Sequence, residues 1–257
     1  MSQEKTPPSK SCCNNWLIRA VTSSIGQKIL MGLTGLMLCG FLVGHLSGNL
    51  LMYKGAKHYN EYAHFLHSSE LLPLAEVSLL VLFTVHIYLG FSTARLNSSA
   101  RPRQMDYAEK QSKLPASPLI FRPHNLMVST GIVVLVFLIV HLLDMRFAEL
   151  GLRRRAPSPG MLPFDHAIEV LKDPLSAAVY VVGSLVLGVH LAHGFQSAFR
   201  SIGFSHPKYT PFLKKLGIVF AIVIAVGFAS LPIFFNFNSV PKSHDIPQVA
   251  PTGLKGH

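Results

Sequence analysis

Five long runs of apolar residues, separated by polar and proline-bearing stretches, divide the chain at about residues 25–53, 73–95, 125–145, 174–200 and 212–237. Each is near or above the ~20 residues that an α-helix needs to cross ~30 Å of hydrocarbon. The third is the most saturated, since residues 131–141 are almost all branched apolar side chains up to His141. The pattern predicts an all-α integral membrane bundle of five transmembrane helices within residues 25–237. A polar N-terminal tail (1–24) and a C-terminal tail (238–257), expected to be poorly ordered, flank it. Pro73, Asp173-Pro174 and Thr210-Pro211 suit helix starts, with proline in the first turn and Asp or Thr as N-cap. The link 54–71 is too polar to span. The link 95–122, with Arg101, Arg103, Lys110 and Lys113, reads as a basic connector. Residues 146–172, of mixed sign around Arg153-Arg154-Arg155, read as a long surface loop with one short helical piece.

Composition agrees with a membrane protein: 49% of residues are hydrophobic, 14% charged, and the mean hydropathy is +0.38. The net charge of +11 could suggest nucleic acid. The positive residues instead sit mainly between the apolar runs, where they fix topology and meet anionic lipid, and no basic stripe interleaved with aromatics occurs. A five-span path with the N-terminus inside places fourteen of the 23 Lys and Arg on the inner side and nine outside. The expectation is an N-inside, C-outside protein of the cell's inner (cytoplasmic) membrane. The N-terminus lacks the apolar stretch of a cleavable signal peptide.

Histidine changes the picture. His45, His86 and His141 each lie inside a different apolar run, and the fourth run carries both His190 and His193. Ionisable side chains are costly in a bilayer interior, so they read as a functional site facing the bundle, with a metal as the natural partner of a neutral imidazole. At about 1.5 Å per residue, His45 lies about 13 Å before Lys54 and His141 about 7 Å before Arg146, both toward the outer face. His86 lies about 13 Å before Arg95 and His193 about 10 Å before Arg200, both toward the inner face. The expected pairs are His45 with His141 and His86 with His193. His190, about 60° away from His193 on the helix, cannot share its iron, and Gly194 favours His193 because it lets a flat group approach. His190 is left as a hydrogen-bonding or structural histidine. Two imidazoles per site suit a six-coordinate haem better than zinc or copper, which usually want further protein donors. Cys12, Cys13 and Cys39 form no C-x-x-C-H, so the two stacked haem b groups would be held non-covalently. Gly26, Gly32, Gly35, Gly40, Gly44 and Gly48 give room for helices, or a macrocycle, to come close.

With Gly44-His45, Phe83 to Gly90 around His86, His141-Leu-Leu-Asp144 and His193-Gly-Phe-Gln-Ser-Ala-Phe199 in this order, the chain resembles the di-haem cytochrome b558-type anchor subunits of succinate dehydrogenases and fumarate reductases. The resemblance covers about residues 25–237. It implies that His45, His86, His141 and His193 are the haem ligands. It also implies a flavoprotein and an iron-sulfur subunit docked on the cytoplasmic face, and electron transfer between the iron-sulfur subunit and a quinone, expected to be menaquinone. That is a respiratory-chain role tied to the tricarboxylic acid cycle. The chain has no nucleotide loop, flavin motif or iron-sulfur cysteines, so it would not oxidise succinate alone. Where some menaquinol-oxidising relatives carry a glutamate two residues before the fourth ligand, this chain has Leu191. Acidic candidates near a quinone site are Glu61, Glu70 and Glu76, against which stands their reading as ordinary interfacial carboxylates. The competing classes are a di-haem anchor of a hydrogenase or formate dehydrogenase, disfavoured by one ligand histidine per span in four spans, and a haem-free transporter with histidine proton relays.

Overall fold

The computed structural model describes residues 19, 21–99, 123–153, 156–239 and 241, and its regular structure there is entirely helical. The five apolar runs become α1 (Ser24–Asn49), α3 (Leu72–Ser99), α4 (Pro123–Met145), α6 (Pro174–Ser201) and α7 (Thr210–Phe237), each long and apolar enough to cross a membrane. Two shorter helices, α2 (Ala56–His67) and α5 (Pro163–Lys172), lie in the links, with 3-10 turns at Leu50–Lys54 and Ala148–Leu150. The two tails, with Cys12 and Cys13, and the basic link with Arg101, Arg103, Lys110 and Lys113 lie outside the described residues, apart from a few at their edges.

The helix starts follow local chemistry. Ser23 accepts from the Gly26 amide at 3.0 Å to cap α1. Asp173 accepts from the Ser176 amide at 3.0 Å, with Pro174 in the first turn of α6. Thr210 behaves otherwise than expected: it is already helical, and its hydroxyl donates back to the His206 carbonyl at 2.8 Å instead of capping α7.

Around the bundle, α1 packs on α3 and α6, and α4 packs on α6 and meets α3, while α7 lies behind α6 and α1. The four histidine-bearing helices therefore form a ring in which α1 faces α4 across a diagonal and α3 faces α6. Small residues allow the tight contacts. A Cβ at Gly32 would stand 2.9 Å from the Ala198 carbonyl oxygen, joining α1 to α6, and one at Gly188 would stand 2.6 Å from the Ala225 Cβ, joining α6 to α7. A mid-bundle core of Cys39, Leu46, Leu191, Ala221 and Ile224 fills this seam. Val81, Val136, Ile139, Val182 and Ile222 point outward, as lipid-facing side chains do.

At the end of the bundle where α1 finishes and α6 begins, the links build a cap instead of a surface loop. Phe164, Ala167, Ile168, Val170 and Leu171 put one face of α5 under Met52, Ala56, Leu231 and Phe235, and Val170 is wholly buried. Burying such side chains away from water contributes about 1.5–3 kcal/mol each. The Asn60 side chain also accepts from the Phe164 amide at 2.9 Å, tying α2 to the start of α5. This cap fixes where α4 ends and α6 starts, and so sets the height of the histidines on both.

Candidate functional site

The histidines occupy two levels. At the level nearer the cap, His45 of α1 and His141 of α4 meet across the diagonal with ring centroids 5.8 Å apart and planes at 77°. Phe41 stacks on His45 at 5.2 Å and Phe228 lies 5.5 Å from it, while Phe137 and Tyr180 surround His141 at 6.0 and 5.8 Å. The Nδ1 of His141 is buried with no hydrogen-bond partner. Burying such an atom costs free energy unless something satisfies it. Gly40 and Gly44, both before His45 in sequence, are exposed, and a Cβ on either would meet nothing within 4 Å.

The second level lies one helical stretch away. Thr34 and Thr130 each come eleven residues before His45 and His141, a rise of about 16 Å. Thr34 Oγ1 lies 3.1 Å from His86 Nδ1, and Thr130 Oγ1 lies 3.2 Å from His190 Nδ1. The following residue backs the ring in both cases: a Cβ at Gly35 would be 3.3 Å from His86 Cε1, and one at Gly131 would be 3.5 Å from His190 Cε1. His190 is within electrostatic reach of both His86 and His193, and His141 of His45. His193 differs in its surroundings. It is exposed, its Nδ1 donates to the Val189 carbonyl of its own helix at 3.1 Å, and Gly194 is in ordinary contact with Met127.

The donor set is two imidazoles per level. Among the described residues no group of three or more His, Cys, Asp or Glu side chains converges. Paired imidazoles and a buried orphan nitrogen fit a six-coordinate haem, whose macrocycle would supply the remaining donors, better than a four-donor protein site for zinc.

The carboxylates proposed from sequence do not converge. Glu61 is exposed on α2 with His58 at 4.0 Å, and Glu70 is exposed in the turn before α3. Glu76 accepts two hydrogen bonds from Arg146, at 2.9 and 3.0 Å, which hold the guanidinium pKa above its ordinary value. An ion pair so exposed contributes about 0–1 kcal/mol. Instead, the buried carboxylate among the described residues is Asp144, 1% exposed and one turn beyond His141. Arg153 pairs with both its oxygens and also donates to Ser176 Oγ at 3.2 Å, while His166 Nε2 donates to the Asp144 carbonyl at 2.8 Å. Arg153 belongs to the arginine run that reads as surface loop; only its spacing to Asp144 could have hinted otherwise.

Over 200 residues the chain is 25% identical to the succinate dehydrogenase cytochrome b558 subunit of Bacillus subtilis (strain 168), covering 77% of this chain and 88% of that protein. No family model matches, and no solved structure matches. The relative is of the kind that the histidine motifs resemble.

Proposed function

We propose that this chain is the membrane-anchor cytochrome b subunit of a succinate:quinone oxidoreductase, passing electrons between an iron-sulfur subunit and (mena)quinone through two haem b groups. The observation that carries the proposal is the meeting of His45 with His141 from diagonal helices, together with the matching threonine contacts of His86 and His190 at a second level of the same bundle. The similarity to a succinate dehydrogenase cytochrome b558 subunit supports it. His45 and His141 would hold one haem. His86 would hold the other with a histidine of α6, which the sequence expectation takes as His193; the Thr130 and Gly131 contacts, matching those around His86, support His190 instead. Bound haems would serve as one-electron carriers at two depths. The protein's part is to fix each imidazole, to keep water out with Phe41, Phe137, Tyr180 and Phe228, and to set the spacing between levels.

Partner flavoprotein and iron-sulfur subunits would dock on the cytoplasmic side, away from the cap. Quinone would then react near the cap, where Glu61 and Glu70 remain candidates, while Glu76 is committed to Arg146. Neither Leu191 nor Gly188, two residues before His193 and His190, offers a carboxylate for proton movement. Succinate added to the purified complex should reduce a b-type absorption band within the enzyme's turnover time. A complex whose haem ignores succinate but responds to hydrogen or formate would move the chain to the competing anchor class.

A further inference from the structure

Thr34 and Thr130 are both buried, at 8% exposure, and each hydroxyl has one proton to give. Thr34 Oγ1 lies 2.9 Å from the Leu30 carbonyl and 3.1 Å from that of Met31; Thr130 Oγ1 lies 2.7 Å from the Leu126 carbonyl and 3.2 Å from that of Met127. A carbonyl only accepts, so the proton goes to the helix. Toward the imidazole each hydroxyl can then only accept, which requires a proton on Nδ1 of His86 and of His190. A neutral imidazole protonated at Nδ1 carries its lone pair on Nε2.

We propose that Thr34 and Thr130 are matched positioning residues that hold His86 and His190 as Nδ1–H imidazoles and leave Nε2 of both as the coordinating nitrogen of one haem iron. The proposal rests on the cytochrome reading given above. The same device occurs twice, on diagonal helices, at the same eleven-residue distance from His45 and His141. The pair nearer the cap lacks it: His45 Nδ1 faces the Asn49 amide nitrogen, a donor, at 3.5 Å, and His141 Nδ1 has no partner. Loss of a hydroxyl should therefore touch one haem and spare the other. An acceptor on Nδ1–H makes the ligand more basic, which favours ferric iron. Removing it should raise the midpoint potential of that haem.

The test uses the purified full complex with Thr34→Val, Thr130→Val and the serine variants Thr34→Ser and Thr130→Ser. Haem content, redox titration and low-temperature ferric EPR are read for each. His86→Ala identifies the affected component as the one it abolishes. The valine variants should shift that component to more positive potential and alter its EPR signal, or weaken its haem retention by about 10–100-fold, with the other component unmoved and serine restoring the wild-type values. Thr34→Ala and Thr130→Ala serve as second deletions should valine prevent assembly. Wild-type potential and EPR in the deletions overturn the proposal, as does serine behaving like valine, which would trace the effect to packing. Both outcomes presuppose two haems in the wild type; a wild-type complex without haem overturns the cytochrome reading itself.

Discussion

Replacing His190 with alanine should remove one haem per chain, while His193→Ala should leave both in place. The two residues share a helix and an apolar context, and their burial and partners separate them. His190 is hydrogen-bonded to Thr130 and backed by Gly131 at the level of His86, whose ring sits on Thr34 and Gly35 in the same way. His193 is exposed; its Nδ1 donates to the Val189 carbonyl of its own helix, which leaves its Nε2 free as well, so exposure and not tautomer sets it apart. An axial ligand lost from a bis-imidazole site takes most of the binding free energy with it, so the haem-to-chain ratio should fall from two to about one. Pyridine-haemochrome analysis of the two variants decides the matter. If His193→Ala loses the haem and His190→Ala does not, the choice indicated by Gly194 is the right one and the Thr130 contact is structural only.

The largest expected effect on stability comes from Asp144→Ala. Asp144 is 1% exposed, and its charge is balanced by Arg153, itself mostly covered. Removing one partner of a buried pair leaves the other uncompensated and costs about 3–5 kcal/mol. Here the loss is also local to function, since Arg153 bonds both the Asp144 carboxylate and Ser176 Oγ. These bonds clamp the end of α4 to the start of α6, one turn from His141. Asp144→Ala should therefore shorten the lifetime of the intact complex in detergent on heating, and Arg153→Ala should do the same. The double replacement by leucines should recover much of the loss, because apolar substitution of both partners removes the desolvation cost together with the attraction. A change below about 1 kcal/mol in the single variants would mean that water reaches the pair.

The five spans were legible in the sequence because lipid imposes a length and a composition on a helix that no soluble loop needs. The meeting of His45 with His141 was legible for a related reason: their distances from flanking charges put them at one depth. What escaped depended on packing between links. Phe164, Ala167, Ile168 and Leu171 follow helical spacing, but the prolines and arginines around them masked a face that covers the cap. Arg153 read as one of three loop arginines because a buried partner for it is invisible until α4 and α5 are placed. The choice between His190 and His193 turned on Gly194, whose contact with Met127 proved ordinary. The signal on which the proposal of His190 rests, the Thr-Gly pairs beginning eleven residues before His45 and His141, is also in the sequence, but its meaning depends on which helices are neighbours.

Haem content of the purified complex tests the central claim most directly. Pyridine-haemochrome analysis, normalised to this chain, should return two haem b per copy, since the proposed reading assigns one bis-imidazole iron to each of two levels. A ratio near one, or no haem at all, would contradict the claim.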